Sequence, residues 1–174
     1  MSAEEAARHL VLVGLMGAGK TTVGAACAAR LGRPSVDTDD VVEANTGLSV
    51  TEVFATQGEA RFRKLERQAV IDACETPRPA VIACGGGAVV DPENRRRLRR
   101  AGYVVWLQAP TTTLMARVGT GVERPLLSGG GTGTLERLAV VRAAAYEAVA
   151  DAFVDTDGRT VDGVVEAVLE VYEP

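Results

Sequence analysis

Histidine is almost absent from this chain: 174 residues hold one, His9, beside three cysteines and a single tryptophan. Cys27, Cys74 and Cys84 show no CxxC spacing and have no histidine cluster near them. That speaks against a zinc site or a disulfide framework and fits a reducing compartment. His9 is read as lying before the first strand, with no neighbour that suggests catalysis. Trp106, inside an apolar run, reads as core. No apolar run approaches the ~18 residues of a membrane span, and Met1 to Arg8 is polar and acidic, unlike a signal segment. The expectation is a cytoplasmic protein with no membrane partner. Excess basic charge is lacking too: the formal net charge is -4. Nucleic acid is therefore not a default partner. The one basic run, Arg95-Arg96-Arg97 with Arg99 and Arg100, has no interleaved aromatics and reads as a solvated helix face. No repeat or linker divides the chain, so residues 1–174 are expected to form one domain.

What is present is a phosphate motif. Gly14-Leu15-Met16-Gly17-Ala18-Gly19-Lys20-Thr21 matches G-x-x-x-x-G-K-[ST]. Backbone N–H groups of such a loop wrap phosphate oxygens, the lysine reaches the β- and γ-phosphates, and the hydroxyl serves Mg²⁺. The apolar run Leu10-Val11-Leu12-Val13 precedes it, and Val23, Cys27 and Leu31 follow at helical spacing. Strand, loop and helix in that order aim a helix N-terminus at an anion.

Further strand candidates recur near 34–38, 80–84, 103–107 and 152–154, with helical stretches between them. Ser49-Val50-Thr51-Glu52 is a capping box. Asp91-Pro92-Glu93 is an N-cap, a first-turn proline and an acid. The alternation implies an α/β fold with a parallel sheet covered on both faces, and ligands at the carboxyl ends of the strands. Residues 119–133 break the rhythm with six glycines in fifteen positions. A loop of that length is either a closing lid or a solvated segment, and Arg124 is its one basic residue.

Each remaining constellation follows a strand. Asp37 and Asp39, two apart, would face one way in extended chain. One could serve Mg²⁺ and the other could take a proton from an attacking hydroxyl, while Asp40 reads as the cap of a helix beginning near Val41. Arg63 and Glu66 share a helix face, and alone they read as a surface salt bridge. Gly85-Gly86-Gly87 permits close backbone approach at a strand end. No aspartate ends that strand, which makes Asp37 the better metal partner.

Together these segments resemble the shikimate kinase family, small P-loop phosphotransferases. The likeness rests on residues 14–24, Asp37-Thr38-Asp39, Phe62-Arg63-Lys64-Leu65-Glu66, Gly85-Gly86-Gly87-Ala88-Val89, Arg124-Pro125-Leu126-Leu127, and Arg142 with Tyr146. It implies a three-layer α/β/α P-loop kinase fold, with a five-stranded parallel sheet, a flexible lid at about 119–133 and a substrate-binding helical region at about 39–74. It implies ATP and shikimate as substrates, Mg²⁺ as cofactor and a monomer. The ATP site would comprise Gly17, Ala18, Gly19, Lys20, Thr21, Thr22, Arg117, Arg124 and Arg159. Shikimate would meet Asp39, Arg63, Gly85, Gly86, Gly87 and Arg142. Catalysis would fall to Asp39, Lys20 and Arg124, and the metal to Thr21 and Asp37. A kinase for another small hydroxy acid and a catalytically silent nucleotide-binding module are the alternatives.

Three features depart from the family pattern, the first being a lid unusually rich in glycine. Ala144 stands where many members have proline between the arginine and the tyrosine; the helix survives that change, so Arg142 and Tyr146 still share a face. The adenine-side proline of some members is replaced near Thr160 or Val161.

Overall fold

The computed structural model describes residues 8–119 and 131–172. Five parallel strands run in the order β2-β3-β1-β4-β5: β1 His9–Val13, β2 Ser35–Asp37, β3 Val81–Ala83, β4 Gly102–Gln108 and β5 Ala152–Asp155. β1 and β3 are buried along their whole length, as near-continuous apolar runs in a doubly covered sheet should be. Leu10, Leu12 and Ile82 are fully buried, each stabilising the fold by about 1.5–3 kcal/mol. The helices are α1 Lys20–Leu31, α2 Thr38–Thr46, α3 Val50–Gln57, α4 Glu59–Cys74, α5 Pro92–Ala101, α6 Thr111–Val118, α7 Gly131–Val149 and α8 Val161–Tyr172.

Register places the site. Leu12 pairs with Ala83, and Asp37 pairs with the same Ala83. The chain leaving β1, β2 and β3 therefore emerges at one level on one edge. The glycine loop, the Asp37 turn and the triple glycine meet there.

α2 to α4 carry a small core of their own, Val42, Val53, Phe62 and Ala69, apart from the main cluster around the sheet. α3 opens with the full capping box of Ser49 and Glu52. α5 opens with the Asp91 side chain accepting from Glu93 N and Pro92 in its first turn.

Four expectations need correction. His9 is the first residue of β1, buried, and its Nδ1 accepts from Ala80 N at 3.0 Å. α2 begins at Thr38, so Asp37 and not Asp40 is its cap, accepting from Asp39 N at 2.9 Å. The basic run on α5 is only partly solvated: Arg95 donates to Val89 O at 2.7 Å and Arg99 to Ala148 O at 3.1 Å. These arginines close carbonyls left open by neighbouring segments. α7 starts at Gly131, so residues 131–133 of the expected lid are helical; Leu135, Arg142 and Tyr146 anchor that helix by burial. Residues 120–130, with Arg124, lie outside the described residues.

Candidate active site

At the edge where β1, β2 and β3 end lies a cavity of ≈ 370 Å³. The glycine loop forms one end. Gly17 and Gly19 have φ of +81° and +92°, a region that L side chains rarely adopt. A Cβ on Gly17 would also come within 2.7 Å of Leu114 O. Gly19 caps α1 without a side chain, and the first turn of α1 holds no acid. The positive end of that helix is left for an anion. Lys20, Thr21 and Thr22 line the cavity from this turn, and Lys20 Nζ donates to Leu15 O at 2.9 Å. Ala18 is buried inside the loop.

Thr21 Oγ1 donates to Asp37 Oδ2 at 2.6 Å. A hydroxyl and a carboxylate oxygen thus stand side by side at the phosphate end. Those are the hard oxygen donors that suit Mg²⁺, which takes one or two protein ligands and keeps waters and phosphates for the rest. Among the described residues no cluster of three or more His, Cys, Asp or Glu could hold a metal, so a metal here would lean on the nucleotide.

The other end of the cavity is lined by Asp39, Arg63, Glu66 and Arg142. Asp39 reaches it from the first turn of α2, not from extended chain as the period-two reading had it. A helical turn brings Asp37 and Asp39 to the same cavity because Asp37 sits just before the helix and caps it. Arg63 enters from α4 with Nη1 on Glu66 Oε2 at 2.7 Å and Nη2 on Glu59 Oε1 at 3.1 Å. Glu66 is 3% exposed, so the surface salt bridge read from this stretch is buried on its glutamate side and half-buried at Arg63. Burial pushes the Glu66 carboxyl above the usual range, and Arg63 and Arg142 pull it part of the way back. Arg142, 4% exposed, donates through Nη1 to Gly86 O at 2.9 Å.

The three glycines do separate jobs. A Cβ on Gly85 would come within 2.6 Å of Asp39 Oδ1. A Cβ on Gly87 would collide with the Arg63 guanidinium. Gly86 supplies a carbonyl that Arg142 and Tyr146 both use. Gly85 N donates to the buried Thr38 Oγ1 at 2.8 Å, which ties this turn to the start of α2.

One pocket therefore joins a phosphate cradle to two arginines and a carboxylate. Comparison with known proteins agrees with that chemistry. The shikimate kinase family model matches residues 16–173. The shikimate kinase of Symbiobacterium thermophilum is 48% identical over 165 residues, 93% of this chain and 94% of that protein. That of Moorella thermoacetica is 44% identical, covering 95% and 94%. The chain belongs to the shikimate kinase family. The structure of a shikimate kinase from Acinetobacter baumannii in complex with shikimate superposes with a TM-score of 0.92 at 33% identity, covering 97% of this chain and 94% of that one.

Two arginines away from the Arg63 and Arg142 end meet different fates in this shikimate kinase fold. Arg117, at the end of α6, lines the cavity. Its Nη1 donates to Thr156 Oγ1 at 2.8 Å and its Nη2 to Thr156 O at 2.7 Å. Arg159 is exposed on the turn after β5 and is not part of the cavity wall.

Sequence reasoning missed the apolar wall. Met16, Val50, Phe54 and Phe62 line the cavity, and the Phe54 and Phe62 rings lie 4.5 Å apart. The signal was available: the capping box starts α3, which puts Val50 and Phe54 four apart on one face. Cys84 also lines the cavity; burial raises its thiol well above the ordinary value, so it stays protonated.

Proposed function

We propose that this shikimate kinase family member transfers the γ-phosphoryl group of ATP to the 3-hydroxyl of shikimate, yielding shikimate 3-phosphate and ADP. The single observation that carries the reading is one continuous cavity bounded by Lys20 and Thr21 at one end and by Asp39, Arg63 and Arg142 at the other.

The glycine loop, from Gly17 to Thr22, holds the phosphates through its N–H groups, and Lys20 neutralises the γ-phosphate. Thr21 and Asp37 are the residues that would hold Mg²⁺. Bound there, the ion would neutralise charge building on the β- and γ-phosphate oxygens. Arg63 and Arg142 bind the substrate carboxylate by charge-assisted hydrogen bonds, which favours an acid over an uncharged polyol. Glu66 holds Arg63 in place for this. Asp39 orients the acceptor hydroxyl and takes its proton. Phe54, Phe62 and Val50 pack the carbocyclic ring and keep water away from the acceptor. Arg117 packs on the adenine and Arg159 borders it. Arg124 is assigned to the transferring phosphate and the surrounding segment to a lid. Phosphoryl transfer asks for positioning and charge neutralisation more than for covalent chemistry, and the cavity offers both.

The working form is a cytoplasmic monomer. Three free thiols, two buried and one half-buried, support a reducing setting.

A coupled ADP-release assay with shikimate, quinate, gluconate and no acceptor tests the reading. Turnover confined to shikimate is the expected result; equal rates with gluconate would overturn it. Asp39→Asn should abolish transfer while ATP binding persists, and near-normal turnover would remove Asp39 as the base.

A further inference from the structure

The Gly86 carbonyl accepts two hydrogen bonds from α7, from Arg142 Nη1 at 2.9 Å and from the Tyr146 hydroxyl at 2.6 Å. The donors are one helical turn apart, so they reach one acceptor from the same face. Tyr146 is 1% exposed, and its ring stacks on Trp106 with centroids 5.3 Å apart and planes at 20°. Trp106 is fixed in β4, where it pairs with Val13, the residue before the glycine loop. The phenol is therefore clamped from below by the sheet and spends its hydroxyl on the backbone of the acid-binding turn.

We infer that Tyr146 is a positioning residue for the acidic substrate: its hydroxyl sets the Gly86 carbonyl, and that carbonyl sets the guanidinium of Arg142. A guanidinium fork binds a carboxylate well only in a defined plane. One Arg142 nitrogen is committed to Gly86, so the place of that oxygen fixes the plane presented to the cavity. Without the phenol the turn is held at that atom by Arg142 alone, and the arginine and its anchor shift together. Burial, which raises the Tyr146 pKa, keeps the hydroxyl a neutral donor at working pH. The inference rests on the proposal that Arg142 binds the substrate carboxylate.

The test is Tyr146→Phe, which keeps the ring on Trp106 and removes only the hydroxyl. The expected result is a shikimate KM raised about fivefold, the loss of one net hydrogen bond. The ATP KM should stay unchanged and kcat within about twofold. In an Arg142→Ala background the same change should add nothing to the shikimate KM. Equal increases in both KM values, or the same factor with and without Arg142, would overturn the inference and leave Tyr146 a packing residue. An Arg142→Ala variant with the wild-type shikimate KM overturns the carboxylate assignment itself. A normal Arg142→Ala loss with an unresponsive Tyr146→Phe overturns only the role of Tyr146. Should Tyr146→Phe fold poorly, Trp106→Phe loosens the same ring and should raise the shikimate KM in the same direction, again without moving the ATP KM. Fluorescence of Trp106, the only tryptophan, follows shikimate titration directly in the Tyr146 variants.

Discussion

Thr21 Oγ1 and Asp37 Oδ2 are 2.6 Å apart, joining the first turn of α1 to the end of β2. Since no aspartate follows β3, where Cys84 stands instead, this pair is the oxygen-rich corner of the phosphate end. Asp37→Asn should raise the Mg²⁺ concentration for half-maximal rate by roughly 10–100-fold, the range for losing an outer ligand. Initial rates against free Mg²⁺ at fixed ATP would show it. An unchanged Mg²⁺ curve would leave Asp37 as the cap of α2 and nothing more.

Gly87 faces the Arg63 guanidinium so closely that a Cβ cannot fit beside it. Gly87→Ala must therefore displace Arg63, which is already held by Glu66 and Glu59. The shikimate KM should rise roughly tenfold or more, the size of a weakened hydrogen bond to a charged group, with the ATP KM unaffected. Steady-state kinetics with each substrate varied in turn separates the two. A wild-type shikimate KM would mean that Arg63 does not meet the substrate.

Thr156 is 2% exposed and holds Arg117 through both its hydroxyl and its carbonyl, while its hydroxyl donates to Gln108 O at 3.0 Å. Thr113 Oγ1 donates to Asp157 Oδ1 at 2.7 Å, so α6 is pinned to this turn at two points. Thr156→Val keeps the shape and the carbonyl bond but loses the hydroxyl bond. The ATP KM should rise by about tenfold and the shikimate KM should hold. A shift in the shikimate KM alone would place Arg117 with the wrong substrate.

The strands, the glycine loop and two of three helix caps were readable because each rests on local chemistry: apolar runs, a fixed glycine spacing, Ser49 with Glu52, Asp91 with Pro92. What escaped was non-local. Period-two reasoning put Asp37 and Asp39 on one side of a strand, whereas Asp37 ends the strand and caps α2. The pairing of Arg63 with Glu66 was visible, but its burial depends on α4 packing beside the turn after β3, which no local pattern encodes. Tyr146 and Arg142 were placed on one face by spacing, yet their common acceptor is Gly86, 60 and 56 residues away. His9 was misplaced by one residue, because a polar side chain at a strand start looks like loop until its buried partner, Ala80 N, is known.

That partner gives His9 a measurable consequence. Its Nδ1 accepts from Ala80 N, which only an unprotonated nitrogen can do. Burial lowers its pKa from 6.5, with the charge of Arg33 adding to the effect and a backbone hydrogen bond at Cys74 opposing it. The unfolded chain therefore binds more protons than the folded one below about pH 6.5. Stability from this group is complete above that value and falls as the pH drops through the window below it. His9→Asn offers a side-chain oxygen near the position of Nδ1 but does not titrate. Urea midpoints measured from pH 5 to 8 should fall on the acid side for the wild type and stay flatter for His9→Asn. Equal slopes for both proteins would assign the acid sensitivity to carboxylates elsewhere in the fold.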